Sequence, residues 1–541
     1  MNDAVELALA RDLLEAVAEE MAEACVRTAA SPNIKERRDL SAAVFDGAGT
    51  MVAHAAHIPV HLGAMPMGVR AAIARVPLGP GDVVLVNDPY DGGTHLPDVT
   101  AIAALFDARG RPRFHVAIRA HHADIGGAVP GSMAPQDSIH AEGVRIPPVR
   151  WIRGGVEDPD LTRLLLANLR RPEERRADLL AKVSALAAGV ARLRVLGRRV
   201  RTRAGSGVAR ASLEHRARTL VDYAARIAGD ALGAARDGRA RGEAWLGVNG
   251  VDGAPARLVA TITKRGRRLT VDFAGTTGPV GLGLNATAAV AHSAVYYLVR
   301  CLCPADTPAN DGLLRAVDVR VPAGCVLDAP YPAPVASGNV ETSQRIVDVL
   351  WLAASKLWPG RFPAPGAGTM SNWTLGPAPG GPAFASYYET VPAGAGGGPA
   401  GPGAAAIQQH MTNTRSTPVE VLETRWPLRV RRLEIRRGSG GAGRHRGGDG
   451  VVKEFEVLVP AVFAWSMTRH DDPPPGLAGG APGAVGRVTL VAGRGSRVLG
   501  PRGRLALTAG DVVRIETPGG GGYGAPRGRR ARGTRRPVGP G

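Results

Sequence analysis

The residues best suited to chemistry fall in three short stretches between positions 57 and 124. The first is NDPYDGGTHLPD, Asn87–Asp98, which follows the apolar run Val83–Val86 and so hangs at the end of a strand. His95 and Asp98 stand three residues apart, with Pro97 restricting the backbone between them. At that spacing an imidazole nitrogen and a carboxylate reach one divalent ion. Gly92 and Gly93 permit backbone conformations closed to other residues, so the loop can fold tightly round a ligand. The competing reading is a turn whose Asp and Asn cap backbone amides while His95 faces solvent.

The second stretch, RAHHADIGGAVPGS, runs on from the apolar strand Phe114–Ile118. Extended-chain alternation puts His122 and Asp124 on one face and His121 on the other. Two His–Asp pairs, each beside a strand and paired glycines, make a mixed nitrogen and oxygen cage. Such a donor set suits Mn, Zn or Fe rather than Ca or Mg. Two satisfied histidines near a turn is the alternative. In the third stretch, HIPVH, His57 and His61 are four apart like a helical zinc pair, but Pro59 argues against a helix between them. Neither the acid nor the third ligand of an H-E-x-x-H site is present. Hydrogen bonding to substrate or to a metal ligand is the role this position suggests.

A framework must hold these stretches. Val5, Leu9, Leu13, Val17 and Met21 recur every four residues and predict an amphipathic helix over 4–29. Short apolar runs at Ala42–Phe45, Val83–Val86 and Phe114–Ile118 predict strands, and the Leu-, Ala-, Arg- and Glu-rich stretch 159–240 predicts two or three helices. Strand character returns at Ala256–Ile262 and Leu269–Phe273, and again at 427–436, 451–459 and 486–492; buried helices are expected at 284–304 and 341–357. The Gly/Pro-rich segment 374–405 predicts a long loop or linker.

The fold class expected is α+β and multidomain: mixed sheets, a central helical segment and a β-rich C-terminal part. Boundaries near 155, 245 and 405 give an N-terminal α/β region 1–155 with the metal motifs and a helical region 156–244. An α/β region 245–405 ends in the Gly/Pro-rich loop, a β-rich region covers 406–526, and a disordered Arg-rich tail covers 527–541.

A formal charge of +19 raises the question of nucleic acid. Only five residues are lysine, six arginines sit between Arg527 and Arg536, and aromatics are 4%. A single-strand groove needs aromatic side chains interleaved with basic ones, and this chain has none arranged so; no nucleic-acid partner is expected. Cys25, Cys301, Cys303 and Cys325 are too few and too spread for structural zinc, and fit buried thiols in a reducing compartment. Asp3, Glu6, Arg11 and Asp12 argue against a signal peptide, and no window approaches twenty consecutive apolar residues. A cytoplasmic protein with no membrane partner is expected. Neither G-x-x-x-x-G-K-[ST] nor G-x-S-x-G occurs, so neither a P-loop nor a serine-hydrolase elbow is expected. TPGGGGYG at 517–524 has no helix after it and predicts a structural turn.

On these motifs the chain resembles the hydantoinase B/oxoprolinase family. That family includes N-methylhydantoinase large subunits, the C-terminal half of oxoprolinases, and alpha-type subunits of acetone and acetophenone carboxylases. NDPYDGGTHLPD and HHADIGG…PGS look like its signatures. SPNIKERRDLSAAVFD (31–46), IPVHLGAM (58–65), EGVRIPP (142–148), NLRRPEERRADLLA (168–181) and VDFAGTT (271–277) are similar too. So are SGNVETSQRIVD (337–348), MTNTRSTPVEVLE (411–423), SGGAGRHRGGDG (439–450) and TPGGGGYG. The chain departs from the family pattern at 391–405, which is padded with Gly, Ala and Pro, and beyond 526.

The resemblance implies a B-type subunit of an ATP-dependent hydantoinase or 5-oxoprolinase type enzyme. Such an enzyme hydrolyses a cyclic amide or imide, of the hydantoin, N-methylhydantoin or 5-oxoproline class, at a divalent metal. ATP and its Mg would be used by a separate, actin-like A-type subunit, so a hetero-oligomer is implied. By position, His95, Asp98, His122 and Asp124 would be ligands, with His121 close by, for Lewis-acid polarisation or bound hydroxide. His57 and His61 would meet substrate, and Asn87 and Asp88 would shape their loop or hold a substrate amide. Arg119 would grip a carboxylate or phosphorylated intermediate, or else be a salt-bridged strand residue. Two other readings share the motifs: an alpha-type subunit of an ATP-dependent ketone carboxylase, and a non-catalytic scaffold subunit with a structural metal.

Overall fold

The computed structural model describes residues 3–55, 57–202, 212–247, 255–493 and 495–526, so the Arg-rich tail lies outside the described residues. Alternation along the strands decides the N-terminal half. In Leu40–Asp46, Ala42 and Val44 point to one face and Ala43 and Phe45 to the other, all fully buried. A strand buried on both faces needs a layer on each side. The long helices Asp3–Thr28 and Pro172–Thr202 cover one face, with Leu14, Val17, Met21, Leu186 and Leu193 against Val44, Val116 and Ile118. Helix His61–Arg75 covers the other with Met65, Val69 and Ala72.

The sheet between them has seven strands. Read from one edge they are Met51–His54, Leu40–Asp46, Pro112–His121, Asp98–Phe106, Val83–Val86, Val149–Arg153 and Val156–Glu157, with every neighbouring pair antiparallel. Because neighbours run oppositely, the ends of some strands lie beside the starts of others. One end of the sheet therefore gathers Asp39 before its strand, His54 and His121 closing theirs, Asp98 opening its own, and Asn87 just after Val86.

Helix His61–Arg75 continues into a second core with helices Ala288–Leu302 and Thr342–Leu357. These rest on a four-stranded sheet of Val317–Arg320, Arg268–Asp272, Ala256–Arg265 and Gly238–Leu246, whose first pair is parallel. Two further sheets, of four and five strands, close over Trp373, Tyr387, Trp426, Phe455, Phe463 and Trp465. The result is mixed helices and several open sheets, as the sequence indicates.

The Gly/Pro-rich segment expected to be a loop or linker is built into the body instead. Asn372–Pro377 and Tyr387–Thr390 are paired strands. The glycines that follow join an array of extended segments outside any sheet. TPGGGGYG, expected as a turn, runs through its centre: Gly394 N–H donates to the Pro518 carbonyl at 3.0 Å, Gly441 to Gly520 at 2.9 Å and Gly522 to Ala481 at 2.8 Å. A Cβ on Gly520 would collide with the Ala395 carbonyl, and one on Gly447 with the Gly520 carbonyl. Only a residue without a side chain fits where backbones approach this closely, the rule that also governs the collagen axis.

Candidate functional site

Helix His61–Arg75 starts without a capping side chain of its own; its N-cap position is Val60. Ser293, from helix Ala288–Leu302, supplies the cap. Its Oγ accepts from Gly63 and Ala64 N–H at 3.0 Å each and donates to the Val60 carbonyl at 2.6 Å, satisfying donors that a helix start leaves open. His61, the first helical residue, is thereby fixed over the sheet end. Its Nδ1 lies 2.9 Å from Ser41 Oγ and its Nε2 3.2 Å from Asp98 Oδ2. As the position of Pro59 indicates, the chain between His57 and His61 is not helical.

Asp98 is the centre of the cluster. Its Oδ2 accepts from Thr94 Oγ1 at 2.5 Å and Asn339 Nδ2 at 3.2 Å, and lies 3.3 Å from His95 Nε2. Its Oδ1 is buried with no partner. His121 sits directly across the ladder from Asp98. Its ring stacks on Tyr388 with centroids 4.5 Å apart and lies 5.0 Å from the His95 ring. Asn33 lies 3.2 Å from His121 Nδ1, while Nε2 is buried and unpartnered. His95 Nδ1 faces the Ala336 carbonyl at 3.1 Å, and Asn339 Nδ2 is 3.0 Å from His95 Nε2. Asn339 Oδ1 is likewise buried without a partner; buried polar atoms almost always find one, so three such orphans in one cluster point to a missing group.

Charge is arranged unevenly here. Burial works against an ionised Asp98, but His95 and His61 hold its carboxyl well below the usual range. Burial also works against a charged His95, yet the Asp98 charge raises it overall. His61 is lowered by burial despite Asp98, and His121 is pushed well down by burial and by His95. Asp39, which precedes its strand and takes the His121 N–H on its carbonyl at 3.0 Å, is driven up to about 6, by burial against the pull of Arg37 and with the Asp98 charge adding to the rise.

The structure brings together only some of the residues singled out in the sequence. His95, Asp98 and His121 meet, and His61 joins them. His122 and Asp124 do not. His122 turns its Nε2 to Lys182 of helix Pro172–Thr202. The Asp124 carboxylate is occupied by Gly126 and Gly131 N–H at 2.8 Å each, by Ser386 Oγ at 3.0 Å and by Arg170 at 3.1 Å, so it ties loops together. Alternation sets His121 and His122 on opposite faces, and it is the His121 face that meets Asp98; the strand ends at His121, so alternation does not place Asp124.

Asn87 shapes its loop: Nδ2 donates to the Leu96 and Val144 carbonyls at 2.8 and 2.9 Å, and Oδ1 accepts from Ile146 N–H at 2.6 Å. Asp88 caps the turn Pro89–Asp91 through Tyr90 N–H at 3.1 Å. His57, with His54, lines a separate cavity of about 430 Å³ bounded also by Arg11, Glu15 and Arg300. Arg119, on the His121 face of its strand, is fully buried; its Nε donates to Thr100 Oγ1 at 2.8 Å and one terminal nitrogen has no partner. Burial lowers it to about 10, with Asp98 opposing. Asp39, Asn339 and Tyr388 were missed by sequence reasoning. The sequence held two signals, Asp39 within SPNIKERRDLSAAVFD and Asn339 within SGNVETSQRIVD, but Asn339 and Tyr388 come from more than 200 residues away.

Imidazoles and carboxylates with orphaned atoms fit a borderline divalent ion in donor chemistry. Among the described residues, no three His, Cys, Asp or Glu side chains already form a metal cage. His61 and His95 both turn to Asp98 Oδ2 instead, which leaves Asp98 Oδ1, His121 Nε2 and Asn339 Oδ1 as open donors.

The family profile described as Hydantoinase B/oxoprolinase matches residues 3–526. The chain belongs to the hydantoinase B/oxoprolinase family. It is 36% identical to 5-oxoprolinase 1 of Arabidopsis thaliana over 97% of this chain and 42% of that protein. It therefore spans about two fifths of that relative's length. Likeness to a putative D-/L-hydantoinase B subunit of a Pseudomonas species is 28%, covering 95% of this chain and 88% of that one. The crystal structure of an ATP-dependent caprolactamase from Pseudomonas jessenii superposes with a TM-score of 0.86 at 28% identity, covering 97% of this chain and 92% of that chain. A nucleotide-free acetone carboxylase shares the fold, with a TM-score of 0.85 at 17% identity over 97% of this chain and 76% of that one. Among the described residues of this family member, no helix is long and apolar enough to cross a membrane.

Proposed function

We propose that this chain is the B-type subunit of an ATP-dependent amidohydrolase acting on a small cyclic amide or imide, with an A-type subunit using the ATP. The observation that carries the reading is the buried meeting of His61, His95, Asp98 and His121, with Asp98 Oδ1 and His121 Nε2 left open. The relatives' names, 5-oxoprolinase, D-/L-hydantoinase and ATP-dependent caprolactamase, favour hydrolysis of a ring amide.

His95, Asp98 and His121 would hold a divalent ion of the Mn, Zn or Fe kind, with Asp39 beside them. When bound, that ion supplies Lewis-acid polarisation of a carbonyl. The chain's own residues do the rest. Asn339 and Thr94 hold the Asp98 carboxylate from two sides. Ser41 and Asp98 fix His61 at both ring nitrogens, so a proton can be held on a defined atom there. Tyr388 covers the His121 face and keeps water off it. The open nitrogen of Arg119 offers a charged donor to an anionic group on substrate or intermediate.

Co-expression of the chain with an A-type ATPase, assayed on hydantoin, 5-oxoproline and caprolactam, tests this. Ring opening that needs ATP and is lost in Asp98→Asn supports the reading. Ring opening undiminished in Asp98→Asn contradicts it.

A further inference from the structure

The short helix Ile139–Glu142 ends in a carboxylate that the chemistry above does not use. Glu142 is 1% exposed, and both of its oxygens go to the backbone. Oε2 accepts from Val335 N–H at 3.1 Å and Oε1 from Ala336 N–H at 2.8 Å. These residues open the turn Ala336–Asn339. Ala336 then presents its carbonyl to His95 Nδ1 at 3.1 Å, while Asn339, closing the same turn, sets Nδ2 3.0 Å from His95 Nε2 and 3.2 Å from Asp98 Oδ2. Gly283, at φ +78°, leaves room for the carboxylate; a Cβ there would stand 3.2 Å from Oε1.

Among the described residues no Lys, Arg or His forms an ion pair with Glu142, and burial drives its carboxyl up to about 7 against the pull of the two amides and, more weakly, of His95. A buried carboxylate resting on neutral donors costs stability that a neutral side chain of similar shape would not. Its place is explained by what the two amides carry. We propose that Glu142 is a positioning residue: by clamping the Val335 and Ala336 amides it holds the Ala336 carbonyl against His95 Nδ1, so that Nε2 is the nitrogen His95 turns to Asp98. This rests on the reading of His95 as a ligand.

The full-length chain and its Glu142→Gln and Glu142→Asp variants would be compared by thermal unfolding and by titration with Co(II), following its visible absorption. The His95 Nδ1–H resonance would be followed in ¹⁵N-histidine-labelled protein and assigned by its loss in His95→Ala. Glu142→Gln can accept only one of the two amides. It should bind cobalt about ten- to a hundredfold more weakly and show a shifted absorption band and a weakened Nδ1–H signal, while the lost charge and the amide left without an acceptor act in opposite directions on its unfolding temperature. Glu142→Asp, with the charge but one methylene less, should fall between. Cobalt binding, spectrum and Nδ1–H signal all as in the wild type overturn the proposal, as does a fall in unfolding temperature with binding intact. A wild-type chain that takes up no cobalt contradicts the ligand reading instead; the Nδ1–H signal then decides the role of Glu142 alone.

Discussion

Asp98 carries most of the site's electrostatics, and the groups around it differ in what their loss should do. Asn339 touches both His95 and Asp98, so Asn339→Ala should leave folding intact and weaken metal uptake about ten- to a hundredfold, measured as metal content after dialysis against a chelator. Wild-type uptake would remove Asn339 from the site. A second prediction concerns pH. Burial, reinforced by His57 and His61, pushes His54 down to about 3, well below its ordinary 6.5. As pH falls, the unfolded chain takes the proton first, so the stability this group contributes is complete above about 6.5 and is lost as pH drops toward 3. At pH 5 the loss from His54 alone is about 2 kcal/mol. Urea midpoints at pH 7.5 and 5 should differ, and the difference should shrink in His54→Gln. His57, at about 4, adds in the same direction.

At the scale of elements, the site depends on two devices that act from far along the chain. Ser293 caps the helix that begins with His61, and Ser293→Ala should lower stability by about 1–2 kcal/mol and loosen His61. The glycine array makes a sharper prediction. Gly520→Ala drives a methyl group into the Ala395 carbonyl and should cost roughly 1–3 kcal/mol, whereas Gly278→Ala, with open space around it, should be near neutral. Equal melting temperatures for the two would contradict the close-packed reading. These devices also mark what the sequence could show. Four-residue spacing located the opening helix, and apolar runs located the strands at 40–46, 83–86 and 112–121, which are buried on both faces, and the buried helices at 288–302 and 342–357. The glycine array was hidden: its hydrogen bonds join segments from about 40 to more than 120 residues apart, and locally its composition is that of a loop. The site was half legible. His95, Asp98 and His121 sit on strand ends that the apolar runs mark. His122 and Asp124 stand away from Asp98 because the face that meets it is that of His121, while Asn339, within SGNVETSQRIVD, and Tyr388 reach the site by tertiary packing.

For the whole molecule, the proposed function divides labour between this chain and an A-type subunit. The chain spans two fifths of the 5-oxoprolinase it resembles, and its motifs include no P-loop. Purified alone it should hydrolyse no ATP, and added to an A-type subunit it should confer substrate-dependent ATP turnover, read as phosphate release. ATP hydrolysis by the isolated chain would contradict this division.

The most direct measurement is product formation by the reconstituted pair on a panel of hydantoin, N-methylhydantoin, 5-oxoproline, caprolactam and acetone, with and without bicarbonate, for the wild type and His95→Ala. A metal-dependent amidohydrolase should open at least one cyclic amide without bicarbonate, and lose that activity in His95→Ala. Product that forms only with bicarbonate, or ring opening that survives His95→Ala, would contradict this reading.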